Sequence, residues 1–307
     1  MSHLLASLLS GMLIAATPLI YAALGELIAE RSGVLNLGVE GMMLIGAVTA
    51  FGVVFAGYPP FVAALAAMGA AALAAAVFAV LALTLATNQY AAGLALTILG
   101  SGLSGLIGRH FGSTSITSIA KIHIPVLSEL PIVGASLFNQ DPLVYLALLL
   151  TAVVWWLLYR TKLGLIVRIV GEAPHSAAAI GYPVIRIRYL ATVLGGALAG
   201  LAGAYLSLAY TPLWVEDMTA GRGWIALALV VFATWRPWRL VLGAWLFGGV
   251  SVLQLFAQGF GVQLPSEVLS ALPYLATIVV LVAISRNPQT LRLNTPLSLA
   301  QPFRPER

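Results

Sequence analysis

The sequence contains little charge. Only 8% of its 307 residues are Asp, Glu, Lys or Arg, and 61% are hydrophobic, whereas a soluble globular chain is about 25% charged. The 15 basic and 10 acidic side chains are too few to cover the surface of an ordinary soluble fold of this length. The composition excludes disordered, collagen-like, coiled-coil and soluble two-domain proteins. It predicts an all-α, polytopic membrane protein, because the apolar runs are continuous rather than alternating.

Cysteine is absent, which excludes disulfides, thiolate metal sites and a cysteine nucleophile. No Gly-Lys dipeptide occurs, so the chain has no phosphate-binding loop of the Gly-x-x-x-x-Gly-Lys type. The four histidines (His3, His110, His123 and His175) lie far apart and predict no metal cluster. We therefore expect no catalytic residues, no metal and no cofactor bound by this chain. The net charge of +5 indicates basic cytoplasmic loops rather than nucleic acid as a partner.

About nine segments, and between eight and ten, are candidates for membrane-spanning helices, each of which needs roughly 20 mainly apolar residues. The segment 223–235 is short, so it is predicted to be a partial or re-entrant element. Small residues spaced by four, as at Gly196 and Gly200, predict close contacts between helices, as do Ala199 and Gly203. The candidates are 4–25, 41–57, 61–86, 89–108, 142–159, 189–210, 223–235, 240–258 and 268–285.

The positions of the basic residues predict the orientation. Lys and Arg concentrate at 160–188, at 235–239 and after Arg286. By the positive-inside rule these regions are cytoplasmic, which places the C-terminus inside and residues 109–141 outside. The side of the N-terminus stays open, because 26–40 is either a loop or a broken helix. We expect one membrane domain over 1–287, no signal peptide removed from its start, and an irregular cytoplasmic tail over 288–307.

A polar segment at 25–41 interrupts the first apolar runs. It holds three of the ten acidic residues (Glu26, Glu30 and Glu40) together with Asn36, and Arg31 is the nearest counter-ion. Ionisable groups at membrane depth are costly and usually face a cavity or a partner. Two interpretations remain open: an interfacial loop whose charges pair with one another, or a lining of the substrate path.

A second polar segment covers 162–183 in the basic loop. Pro174 begins a run of small residues that Gly181 ends, and this pattern predicts a short helix over about 174–180. Such a helix suits insertion into a cleft of another protein, and it equally suits a connecting helix at the headgroups.

Three runs of sequence resemble the permease subunits of bacterial ATP-binding cassette (ABC) importers for ribose-type sugars, branched-chain amino acids and nucleosides, the nucleoside type most of all. The first run, at 30–47, is similar to a hallmark of that family. The second, at 93–100, is similar to another family run. The third, Gly171-Glu172-x-Pro174-x-x-Ala177-x-x-x-Gly181, resembles the loop that docks on the ATPase subunit. The family often has Asn, Ala, and Ile or Val where this chain has Ala173, Ser176 and Tyr182.

The resemblance covers nearly the whole chain and implies an ABC importer permease fold with alternating access. It implies two permease subunits, two ATPase subunits that bind ATP and Mg²⁺, and an extracytoplasmic substrate-binding protein, all at the bacterial inner membrane. It implies a small solute, a nucleoside or purine-type compound before others. The residues it suggests for ATPase coupling are Glu172, Pro174, Ala177, Ala178 and Gly181. For the substrate path it suggests Asn36, Glu40, Glu26 and Thr97.

One alternative comes from the residues alone. An ion-coupled secondary transporter would use Glu26, Glu30 or Glu40 as its ion-binding carboxylate, and it would work without an ATPase.

Overall fold

The fold is a bundle of helices, seen in a computed structural model. The structure describes residues 2–112, 114–123, 125, 128, 133–259 and 294–304, together with isolated residues between 268 and 282. The predicted span at 268–285 lies mostly outside the described residues. The helices are α1 (Ser2–Arg31), α2 (Val39–Phe55), α3 (Pro60–Ala79), α4 (Gln89–Gly108), α5 (Val133–Leu137), α6 (Pro142–Arg160), α7 (Lys162–Glu172), α8 (Pro174–Ala179), α9 (Val184–Tyr205), α10 (Arg222–Phe232) and α11 (Pro237–Gly259).

Short irregular elements complete the described chain. A π-helical turn at Val80–Thr84 extends α3, and another at Leu206–Tyr210 extends α9. A 3₁₀ turn follows α4 at Arg109–Phe111. Strands β1 (Ile122–His123) and β2 (Asn139–Gln140) pair antiparallel, with Ile122 opposite Gln140. This two-stranded ribbon lies between α4 and α6 in the chain.

Six helices of the described part are long and apolar enough to cross a membrane: α1, α3, α4, α6, α9 and α11, with their extensions. The all-α, multi-span prediction is confirmed. Helix α1 is longer than predicted, since it continues beyond residue 25 to Arg31. Glu26 and Glu30 lie inside this helix and have partners within the bundle, so their charge does not end it.

Two apolar helices are shorter. Helix α10 has 11 residues, about 17 Å at 1.5 Å per residue, against a hydrocarbon core of about 30 Å. The prediction of a partial element at 223–235 is therefore confirmed. Helix α2 has 17 residues, the same length as the predicted span at 41–57, but it begins and ends two residues earlier. Hydropathy alone does not show at what depth a helix begins.

Small residues bring α9 against α2 and α3. A β-carbon on Gly203 would overlap the carbonyl oxygen of Met43 in α2, and one on Gly200 would overlap that of Ala67 in α3. Ala67, Ala71 and Ala75 of α3 are fully buried at four-residue spacing. The predicted small-residue contacts of 196–203 are therefore confirmed as contacts between helices.

Hydrogen bonds at the ends of α1 and α6 show the relative direction of these two helices. Ser10, early in α1, accepts a hydrogen bond from Gln140 at 2.8 Å, just before α6. Arg31, the last residue of α1, donates to the hydroxyl of Tyr159 near the end of α6 at 3.1 Å. Helices α1 and α6 therefore run in the same direction. The N-terminal end of α1 lies opposite the end that holds α7 and α8.

Residues 294–304 form an irregular segment that packs on the bundle. Ser298 and Phe303 are buried, and Arg31 donates to the carbonyl of Asn294 at 3.1 Å. The segment therefore lies at the same end as the C-terminus of α1. The predicted division between a membrane domain and a tail at 287/288 stays a prediction.

Candidate functional sites

The polar segment after α1 forms a turn inside the bundle. Glu26 is 2% exposed and accepts the backbone N–H of Asn36 at 2.9 Å. The Asn36 side-chain oxygen accepts the N–H of Gly38 at 2.9 Å, and Thr97 of α4 donates to the Leu37 carbonyl at 3.0 Å. Three of the four predicted substrate-path residues are therefore close together, and their hydrogen bonds hold the turn that starts α2.

Glu40, the fourth, holds the start of a different helix. Its Oε1 accepts the hydroxyl of Thr219 at 2.6 Å and the N–H of Gly221 at 2.7 Å. Its Oε2 accepts the N–H of Gly223 at 2.5 Å. The first N–H groups of a helix have no partner within the helix and favour a negative charge. The Glu40 carboxylate thus acts as an N-cap of α10, supplied from α2.

Glu30 and Arg31 have separate partners. Glu30, which is 1% exposed, accepts the indole N–H of Trp235 at 2.6 Å. Arg31 donates to Tyr159 and to the carbonyls of Trp235 and Asn294. Its hydrogen bonds to described residues do not reach Glu26 or Glu30, but its positive charge lies close enough to act on the Glu30 carboxylate as a counter-ion. Both side chains tie the ends of α1 and α10 together.

Helices α2 and α10 begin at the middle of the bundle. A β-carbon on Gly41, at the start of α2, would lie 2.5 Å from the carbonyl oxygen of Leu96, and Leu96 is near the centre of α4. Gly223, at the start of α10, lies against Glu40. The two helix N-termini therefore meet at half-depth, as in the discontinuous helices of transporters. The Glu40 carboxylate lies between them.

The segment between α9 and α10 descends along α4 to reach this point. Trp214 donates to Ser104 at 3.3 Å and lies against Gly108, and Asp217 accepts the hydroxyl of Ser101 at 2.9 Å. These contacts follow α4 from its end towards its centre. Asp217, Ala220 and Gly221 have φ angles of +52°, +46° and +77°, so the descent is a tightly turned backbone.

This descending segment presents polar side chains on an exposed face. Glu216 and Asp217 are exposed, and Trp224 at the start of α10 is 50% exposed. In the sequence, Glu216 and Asp217 lie between the predicted segments 189–210 and 223–235, a position that indicates only a connecting loop. The one available signal was the adjacent short apolar segment, which predicted a re-entrant element but not which residues it carries inward.

The second predicted site forms two short helices at the opposite end from the N-terminus. Thr161 caps α7 by accepting the N–H of Gly164 at 3.1 Å. Helix α8 begins at Pro174 and ends at Ala179, which confirms the predicted short helix. Gly181 follows with φ +92° and no atom near its β-position, so it can end the helix in the left-handed conformation that glycine allows.

The five predicted coupling residues lie on or beside α8. Ala177 is buried under the helix, whereas Ala178 and Gly181 are exposed. Ile180 is 68% exposed, although it is apolar. Glu172 accepts the N–H of Leu297 at 3.3 Å, and it lines, with Pro174, a cavity of about 350 Å³ between α8 and the segment 297–303. The helix therefore presents a small, mainly uncharged surface.

The described residues contain no group of three His, Cys, Asp or Glu side chains that could hold a metal ion. The His175 ring packs against Phe303 in a tilted arrangement, with 5.1 Å between ring centroids and 57° between the ring planes.

The chain matches one protein family over most of its length. Residues 8–282 match the model of the family described as "Branched-chain amino acid transport system / permease component". The chain belongs to this permease family. It is 43% identical to the putative glucose ABC transporter permease protein of Haloferax volcanii, over 98% of both chains. It is 33% identical to the guanosine ABC transporter permease protein of Bacillus subtilis, over 91% of this chain and 92% of that one.

A third relative is the nucleoside ABC transporter permease protein of Lactococcus lactis, 32% identical over 89% of this chain and 90% of that one. No solved structure matched the chain. Family membership together with the six long apolar helices identifies a multi-pass membrane permease of an ABC transporter. In such transporters ATP is hydrolysed by partner subunits, and partner ATPases and a substrate-binding protein are implied in general.

Proposed function

We propose that this permease moves a small solute that carries a sugar ring, a nucleoside or a free sugar, into the cell by alternating access. The observation that carries the proposal is the pairing of an exposed short helix, α8, with two discontinuous helices that meet at half-depth. The relatives act on guanosine, nucleosides and, putatively, glucose. A sugar ring is what these solutes share, and the purine-type solute remains the narrower proposal.

The proposed coupling site is the exposed surface of α8. ATPase subunits would dock on Ala178, Gly181 and the exposed Ile180, with Glu172 and Pro174 forming the neighbouring wall and Ala177 the buried base. A helix with alanine and glycine on its surface enters a cleft without reordering long side chains. The buried Ala177 anchors it to Val170 and Val184, so a displacement of α8 moves α7 and α9 as well.

The proposed substrate path is the face made by the centre of α4 and the segment 215–224. Charged side chains at membrane depth face water or a partner rather than lipid. Asp217 and Ser101 supply hydrogen-bonding groups, and Trp224 supplies an exposed ring, which together suit a hydroxylated ring compound. The four residues suggested for the substrate path lie next to this face, inside the bundle: Glu26, Asn36, Glu40 and Thr97. We propose that they position the path by holding the starts of α2 and α10.

The ion-coupled alternative is not favoured. The family is one of ABC permeases, and each of Glu26, Glu30 and Glu40 already accepts hydrogen bonds from the bundle. An ion-binding carboxylate would need free lone pairs directed into a cavity.

The docking proposal is tested with Ala178→Trp in the assembled transporter. Ala178 is exposed, so the bulky side chain leaves the fold intact and prevents docking. The ATPase should no longer co-purify with the variant. Ala56→Trp, at another exposed alanine just beyond α2, is the matched control and should retain the ATPase. Retention by Ala178→Trp would contradict the assignment of α8.

The solute is tested by purifying the cognate substrate-binding protein and identifying its retained ligand by mass spectrometry. We expect a nucleoside or a free sugar. A retained amino acid would overturn the sugar-ring proposal without affecting the assignment of α8.

A further inference from the structure

The segment 294–303, named here the C-terminal strap, lies between three helix ends. Its contacts centre on Arg188 of α9, which is 1% exposed. The Arg188 guanidinium donates to the Ser32 carbonyl at 3.0 Å, to the Gln301 carbonyl at 3.2 Å and to the Ser298 hydroxyl at 2.8 Å. A buried charge is stable only when its donors are satisfied. The strap and the end of α1 together provide that environment.

Ser298 connects the strap to α7. Its hydroxyl donates to the Gly171 carbonyl at 2.6 Å, and its backbone N–H donates to the same oxygen at 3.0 Å. Ala300 donates its N–H to the Gly33 carbonyl at 3.2 Å. Gly33 has φ +91°, and a β-carbon there would lie 2.6 Å from the Ser298 hydroxyl oxygen. The strap is therefore in close contact with the turn after α1 at Gly33, and it is hydrogen-bonded to the end of α7 at Gly171.

Phe303 connects the strap to α8. Its side chain is buried with Val170, Ala177 and Val184, and its ring packs at a tilt against His175 of α8. The Arg188 guanidinium lies 6.0 Å above the same ring. One segment thus touches the proposed docking helix on one side and the turn between α1 and α2 on the other.

That turn leads directly to the centre of the bundle. It begins at Ser32, contains Asn36, which is bonded to Glu26, and ends where α2 brings Glu40 to the start of α10. A chain of hydrogen bonds and packed side chains therefore runs from α8 through the strap to both discontinuous helices.

We propose that the C-terminal strap is a coupling element, which transmits the displacement of α8 to the turn 32–38, and that Arg188 and Ser298 are its positioning residues. The inference rests on the proposed function, because it assumes that α8 receives the ATPase. Separating Arg188 from its three acceptors would leave a buried charge unsatisfied. The strap, the turn and the end of α7 therefore move as one unit.

The test compares Ser298→Ala with Leu297→Ser in the complete transporter, reconstituted with its ATPase and binding protein. Ser298→Ala removes both hydroxyl hydrogen bonds, whereas Leu297 is 71% exposed, and its replacement serves as the control. We expect the number of solute molecules moved per ATP hydrolysed to fall about fivefold or more in Ser298→Ala, at the lower end of usual allosteric coupling. ATPase co-purification should persist.

In Arg188→Met, the number of solute molecules moved per ATP hydrolysed should fall by a similar factor. In Arg188→Lys, which keeps the positive charge, part of this loss should be recovered. A purely structural strap would lower the yield of folded protein but leave transport per ATP unchanged in the assembled fraction. That result would overturn the inference.

A second measurement uses the absence of cysteine from the chain. In a His175→Cys, Phe303→Cys variant, a bifunctional thiol reagent joins α8 to the strap. We expect transport per ATP to be low before joining and to rise afterwards, because the unit moves together. Inhibition by joining would contradict the proposal. If the wild-type complex shows no ATP-driven transport, the proposed function is wrong. If the wild-type complex transports solute but the variants move the same number of solute molecules per ATP hydrolysed, only the coupling role of the strap is wrong.

Discussion

At the residue scale, the acidic side chains separate into buried and exposed groups. Glu26, Glu30 and Glu40 are between 1% and 6% exposed and bind donors of the protein itself. Glu216 and Asp217 are exposed. The sequence indicated that the acidic residues of 26–40 have a structural or functional role, but it did not show which groups they bind. Glu40 and Gly221 lie 181 positions apart, and nothing in local pattern shows that one caps the helix of the other.

Replacing Glu40 tests its role as a cap. Glu40→Ala leaves two backbone N–H groups and the Thr219 hydroxyl without an acceptor, and each unsatisfied buried group costs about 1–3 kcal/mol. We expect a marked fall in Tm of the detergent-solubilised protein. Glu216→Ala, at an exposed carboxylate, should leave Tm unchanged. An unchanged Tm together with a raised transport KM in Glu40→Ala would instead place Glu40 in contact with solute.

Asp217 is predicted to behave in the opposite way. Asp217→Ala should raise the transport KM severalfold, because a hydrogen-bonding group of the path is lost, while Tm stays close to that of the unmodified protein. Lys121→Ala, at the exposed residue just before β1, is the control for general surface changes. Equal KM values in both variants would remove Asp217 from the path.

At the scale of elements, patterns of small and turn-forming residues gave accurate predictions where the contacts are repetitive. The glycine spacing on α9 and the Pro174 start of α8 were both predictable. The starting depths of α2 and α10 were not, because depth follows from contacts with α4 that lie far away in sequence. Hydropathy does not distinguish a short helix that begins inside the bundle from one that begins at its edge.

A pair of glycine variants separates packing from helix propensity. Gly203→Ala places a methyl group against the Met43 carbonyl, and overpacking of this kind costs about 1–3 kcal/mol. Gly69 of α3 has no atom within 4 Å of its β-position, so Gly69→Ala should leave stability unchanged or raise it by up to about 1 kcal/mol. Thermal unfolding in detergent measures both. Equal effects would refute close contact between α2 and α9.

At the scale of the whole molecule, the distribution of basic residues and the contacts between helices distinguish the same two ends of the bundle. The loop 160–188 and the turn 235–239 carry most basic residues of the described chain, and both lie at the end that holds α8. The ribbon and the N-terminus of α1 lie at the other end. The positive-inside rule therefore predicts that the α8 end is cytoplasmic.

Single cysteines in this cysteine-free chain test that orientation. A membrane-impermeant maleimide should label Thr117→Cys in intact cells, because Thr117 is exposed in the outer region. It should label Ser176→Cys, exposed on α8, only after permeabilisation. The reverse order of labelling would invert the molecule and remove α8 from the ATPase.

This permease is expected to transport solute only together with an ATPase. The direct measurement is uptake into proteoliposomes that contain the permease, its ATPase and its binding protein, with ATP inside and with ion gradients controlled. Uptake should stop when ATP is withheld, should persist when ionophores collapse the proton and sodium gradients, and should be absent with the permease alone. Uptake by the permease alone, driven by a cation gradient without ATP, would contradict the account.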